Sequence, residues 1–146
     1  MVAGKAIDLG FLEALPGYVA RRAAVRIFVE YARTMGSFEL RPAEFAALVL
    51  IGHNPGVTAR QLGTELAIAP PNLVKFLRRF EERDWSERNP HPTDRRARGL
   101  RLTAAGAALL KRAEPAALAS DRTATAALSD AELATLLDLL RRVYKG

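Results

Sequence analysis

Asp94-Arg95-Arg96-Ala97-Arg98-Gly99-Leu100-Arg101-Leu102-Thr103-Ala104-Ala105-Gly106 runs from an arginine-dense turn, through an alternating strand, into a helix start. Leu100 and Leu102 share a face by the two-residue period of a strand, and Thr103 is placed to cap the helix that follows. Upstream, Trp85 to Arg88 reads as the antiparallel mate of that strand, with Asn89 to Pro92 and Thr93 forming the tip. Before the hairpin comes a helix opening at Pro70-Pro71, where missing amide hydrogens cost little, with Leu73, Phe76, Leu77 and Phe80 turned inward at helical spacing. Its outer face carries Lys75, Arg78, Arg79 and Arg83. A basic helix followed by a basic hairpin predicts a winged helix-turn-helix: mainly α, with a small two-stranded antiparallel β-wing.

Working outward, the short helix from Ala59 to about Leu66, capped by Thr58, supplies the first half of the helix-turn-helix, and Ala67 to Ala69 the turn. Ahead of it a helix starts at Pro42 and is stopped by Asn54-Pro55-Gly56. Residues 1 to 16 form a lead-in to a long helix ending near Gly36, whose apolar stripe (Tyr18, Val25, Phe28, Val29, Tyr31) opposes Arg21, Arg22, Arg26 and Arg33. After the wing, an alanine-rich helix contains Pro115, which should kink or divide it. Ser129-Asp130-Ala131-Glu132 is a capping box, and Leu133, Leu136, Leu137, Leu140 and Tyr144 then recur at helical spacing in a stripe too wide for a free surface helix. That stripe and the first helix's need a second subunit. The expected organisation is one domain, residues 1–146, in a six-helix homodimer: 1–37 and 103–146 dimerise, and 42–102 form the DNA-binding lobe.

Composition narrows the partners. With 146 residues, 49% hydrophobic and 26% charged, the chain suits a single globular core. A net charge of +6 favours a polyanion. The longest uncharged apolar run, Phe45 to Ile51, falls far short of the roughly 20 residues that span a bilayer. No membrane partner is expected, and no basic-then-apolar leader is seen, so a cytoplasmic protein is expected. The absence of cysteine excludes disulfides, thiolate metal sites and thiol-based sensing. Two isolated histidines make no metal site, and neither has a serine, acid or cysteine at a catalytic spacing. Neither a cofactor nor catalysis is expected.

Leu66-x-Ile68-x-Pro70, the Leu73/Phe76/Phe80 helix, Glu87-Arg88, Asp94-Arg95-Arg96 and Leu102-Thr103-Ala104-Ala105-Gly106, in this order, resemble the MarR family of bacterial transcriptional regulators. The resemblance covers about residues 17 to 146, and the Asp-x-Arg wing joined to Leu-Thr-x-x-Gly is its most specific part. It implies a homodimer with interlocked terminal helices, two winged lobes on a pseudopalindromic double-stranded operator, and a small aromatic or acyl effector that releases DNA. It also implies that the wing enters the minor groove through Arg96. The chain departs from the family at Asp84, where glycine is usual, at Trp85-Ser86, where an aliphatic pair is usual, and at Pro70-Pro71.

From these readings the DNA-contacting set is Arg60, Pro71, Asn72, Lys75, Arg78, Arg79, Arg88, Asp94, Arg95, Arg96 and Arg98. Asn72 suits adenine and Lys75 or Arg78 guanine, while Arg60 and Arg79 suit phosphates; Asp94 orients the Arg96 guanidinium. Tyr18, Phe28, Phe45, His53 and Trp85 are the candidates for lining an effector cavity between the first two helices and the wing. The alternative function is a winged-helix module for nonspecific nucleic-acid packaging or protein interaction, without an effector.

Overall fold

The computed structural model describes residues 6–90, 93 and 98–146. Helix α1 (Gly10–Glu13) is a short lead-in, followed by α2 (Pro16–Met35), a 3₁₀ turn (Gly36–Phe38), α3 (Pro42–His53), α4 (Ala59–Glu65) and α5 (Pro70–Glu82). After the wing come α6 (Ala104–Ala124) and α7 (Asp130–Lys145). Prolines stand in the first turn of α2, α3 and α5, where their missing amides leave no helical hydrogen bond unmade. Thr58 and Ser129 cap α4 and α7 in reciprocal boxes with Gln61 and Glu132. Pro115 does not divide α6, which runs unbroken through it; the proline costs one main-chain bond inside an otherwise continuous helix. Among the described residues, no helix is long and apolar enough to cross a membrane.

The sheet differs from the two-stranded expectation. Besides β2 (Ser86–Pro90) and β3 (Arg98–Leu102), a short β1 (Val57–Thr58) pairs with the other edge of β3, giving the antiparallel order β1-β3-β2. Val57 faces Leu100 and Thr58 faces Gly99, and the Gly56 amide donates to the Leu100 carbonyl at 2.8 Å. Only glycine fits at residue 99, because a Cβ there would lie 2.8 Å from the Gly56 Cα. The wing is thereby fixed to the loop that opens the helix-turn-helix.

Trp85, expected in the first wing strand, belongs instead to the core. Asp84 adopts the left-handed conformation (φ 55°), reversing the chain after α5 so that β2 begins at Ser86 and the indole turns inward. The Trp85 ring meets Phe80 edge-on at 5.2 Å, beneath the Arg83 guanidinium at 4.2 Å. The Leu-Thr-Ala-Ala-Gly segment locks this corner. Thr103 donates through its hydroxyl to the Asp84 carbonyl (2.5 Å) and accepts from the Gly106 amide (3.0 Å), while its own amide donates to the Trp85 carbonyl (3.1 Å). A Cβ at residue 106 would lie 2.0 Å from the Trp85 carbonyl oxygen, so the glycine is a steric requirement.

Leu48, Ile51, Leu62, Leu77, Phe80 and Leu100 form the sealed centre of the lobe. Each such side chain stabilises the fold by roughly 1.5–3 kcal/mol through burial alone. The helices outside it are less complete: α2 packs along α6, yet Val19, Val25, Phe28 and Val29 remain exposed, and α7 buries no residue.

Candidate nucleic-acid interface and adjoining cavity

Helix α5 is sharply two-faced. Leu73, Leu77 and Phe80 are buried and Phe76 stacks on Phe80 at 5.1 Å, so the opposite arc, Pro71, Asn72, Val74, Lys75 and Arg78, is directed outward and exposed. The turn that sets its angle against α4 passes through Ala67 in the left-handed region (φ 52°), which costs a non-glycine residue roughly 1 kcal/mol. Arg60 stands exposed on α4 beside the start of α5. On the wing, Arg98 is exposed opposite Pro90, and Arg88 is ion-paired with Glu81 of α5 at 2.5 Å. Arg78 likewise lies along Glu82 at 3.0 Å. Both pairs are solvent-exposed and worth only tenths of a kcal/mol, so phosphates or bases can displace them. Asp94, Arg95 and Arg96 lie outside the described residues.

Arg79 departs from its expected place among the phosphate contacts. Its guanidinium reaches back to the Glu44 carboxylate of α3 at 3.1 Å. Glu44 is only 2% exposed, and its other oxygen accepts the Arg41 amide at 2.9 Å, which closes the first turn of α3. The pair ties the outward-facing helix to the body of the lobe. Arg83, on the basic outer face expected for this helix, binds Glu39 at 2.9 Å.

The Arg79–Glu44 tie borders a cavity of about 540 Å³ between α2 and the start of α3, walled by Phe28, Tyr31, Met35, Leu40 and Pro42. Tyr31 donates its hydroxyl to the Leu40 carbonyl at 3.0 Å; burial, with the nearby Glu44 charge, pushes its phenol up to about 12. Of the five residues expected around an effector, Phe28 lines this cavity and Phe45 packs behind it against Tyr31, ring centres 6.3 Å apart. The other three are not brought together with them. Tyr18 is half-buried in the first turn of α2, Trp85 is in the core, and His53 lies at the end of α3, bonded to Glu114 of α6 at 2.5 Å. Sequence reading missed Glu44, whose one legible signal was its place three residues into a helix beginning at Arg41-Pro42.

The expected dimer residues share a face. Leu133, Leu136, Leu137 and Leu140 border an apolar groove completed by Ile27, Leu118 and Leu128, and Tyr144 stands 72% exposed beyond it.

Comparison with known proteins decides the family. The MarR family model matches residues 40–97. A Thauera aromatica protein assigned to transcriptional regulation of the hcr operon is 35% identical over 130 residues, 88% of this chain and 78% of its own length. The chain belongs to the MarR family. Among solved members of that family, the transcriptional repressor CouR bound to a 23-mer DNA duplex superposes with a TM-score of 0.88 at 32% identity, covering 96% of this chain and 99% of CouR. CouR bound to p-coumaroyl-CoA superposes with a TM-score of 0.84 at 30% identity, covering 95% and 98%. The chain is thus a MarR-family transcriptional regulator, with the small antiparallel sheet and helical frame of that family.

Proposed function

We propose that this MarR protein is a cytoplasmic, homodimeric repressor that binds a pseudopalindromic operator in double-stranded DNA and is released by a small aromatic or acyl compound. The observation that carries the reading is α5: a helix sealed on its inner face, presenting Asn72, Lys75 and Arg78 on its outer arc beside a basic wing. Asn72 pairs with adenine, and Lys75 and Arg78 with guanine acceptors, in the major groove. Arg60, Arg88 and Arg98 hold phosphates; Arg95 and Arg96 follow the wing into the minor groove, with Asp94 orienting Arg96. CouR in its DNA-bound form is the structural parallel.

Residues 42–102 serve as the reading lobe, and 1–37 with 103–146 as the dimer frame; the unburied faces of α1, α2 and α7 support that division. The effector enters between α2 and α3, where Phe28 and Tyr31 supply an apolar wall beside Arg79, and an aromatic acyl thioester in CouR supports that chemical class. Arg79, a residue of α5 that lines the cavity and is held by Glu44 of α3, then couples occupancy to α5 directly rather than holding a phosphate.

Alanine at Asn72 or Lys75 should weaken binding to the preferred operator by about 1–3 kcal/mol and to random DNA far less. Competition binding across single-base operator variants checks it. Relaxed preference at one base pair per half-site supports direct readout, and a uniform drop across all sequences overturns it.

A further inference from the structure

The leading end of α5 is apolar and has no amide to spare. Pro70 and Pro71 carry no N–H, and the next two amides, of Asn72 and Leu73, both donate to the Ala69 carbonyl at 3.0 Å. A helix start usually offers free donors to a phosphate. This one offers none, so whatever it recognises it must recognise through side chains.

Val74 lies in this outward arc, 64% exposed. It follows Pro71 by three residues and precedes Arg78 by four, so the three form one ridge on the helix surface. Leu73, Phe76, Leu77 and Phe80, the other large aliphatic and aromatic side chains of α5, all pack toward the core. An exposed valine gains little from burial here, and its β-branch is mildly unfavourable to the helix. Its surroundings, the shallow groove with Arg60, Pro70 and Leu73, leave its methyls open in the subunit.

We propose that Val74 is a sequence-reading residue that packs against the C5-methyl group of a thymine in each operator half-site. The inference rests on the DNA-binding function proposed above. In the major groove, thymine is the base that presents a methyl, and an aliphatic side chain with no hydrogen-bonding capacity distinguishes it from cytosine and the purines by contact alone. Val74 is continuous with Asn72, Lys75 and Arg78 on the same surface. Recognition therefore combines polar base contacts from those residues with an apolar one from Val74.

The test uses the full-length chain and duplexes enriched from random DNA by repeated binding, with each thymine replaced in turn by deoxyuridine, which removes only the methyl. For the unaltered protein, one position per half-site should lose affinity by roughly fourfold, the effect of burying one methyl. Val74→Ala should bind the thymine duplex more weakly by a similar factor and show no further loss on deoxyuridine at that position. Its thermal stability should be unchanged or higher, because alanine favours the helix. Val74→Thr, which keeps one methyl, should fall between. No deoxyuridine-sensitive position in the unaltered protein, or full methyl sensitivity surviving in Val74→Ala, would overturn the inference. Failure to enrich any sequence would overturn it together with the regulator reading, whereas enrichment without methyl sensitivity overturns the thymine contact alone.

Discussion

Helices α5 and α7 are both amphipathic, yet one subunit satisfies only the first. The apolar face of α5 is buried in the lobe's core against α4 and the wing base, with Leu77 and Phe80 among the most deeply buried side chains. The Leu133–Leu136–Leu140 face of α7 buries nothing completely, and Val143 and Tyr144 project into solvent. What each helix leaves exposed identifies what it awaits: α5 offers a mostly polar, basic arc suited to DNA, and α7 offers leucines suited to a second copy. A charged substitution on the exposed side of α5 should therefore disturb binding, and one on α7 should disturb folding.

The largest effect expected from this contrast is at α7. Replacing Leu136 and Leu140 together by glutamate puts two carboxylates into a face that has no other means of burial. The loss should be at least about 3 kcal/mol per subunit, enough to unfold the chain rather than leave a stable monomer. Sedimentation with circular dichroism checks it, and a folded, monomeric variant would break the comparison.

Arg79→Ala should follow. It strands the Glu44 carboxylate without its cation, and with Arg79 itself partly exposed the expected destabilisation is about 2 kcal/mol, read by denaturant unfolding. The slope of log affinity against log salt should not change, because no phosphate contact is removed. An unchanged stability with a shallower slope would return Arg79 to the outer face.

Much of the contrast was legible in the sequence because its signals are local. Leu73, Leu77 and Phe80 announce a face by spacing, Pro42 and Pro70 mark helix starts, and Thr103 with Gly106 marks the corner after the wing. The features that escaped are non-local or too short to leave a pattern. Two residues, Val57 and Thr58, cannot display a strand period, and their pairing depends on Gly99 across the sheet. Trp85 reads as a strand residue because the reversal at Asp84 lacks the glycine that usually marks a left-handed turn. His53 groups with the aromatic residues by type, but its partner is Glu114, 61 positions away. The Glu44–Arg79 tie is of the same kind: neither residue is unusual alone.

The smallest effect sharpens the α7 side. Ser129→Ala removes the hydroxyl that accepts the Glu132 amide at 3.2 Å and should lower stability by about 1 kcal/mol without altering DNA preference. A thermal melt and one operator titration suffice. A changed base preference would mean that the cap acts on the reading lobe, which it does not touch.

Whether the outward arc of α5 reads sequence is decided by the ratio of affinities of the full-length protein for an enriched operator and for random duplex DNA at one fixed salt concentration. The expected ratio is on the order of a thousandfold or more. Equal affinity for the two would contradict it and leave a basic module that binds phosphate alone.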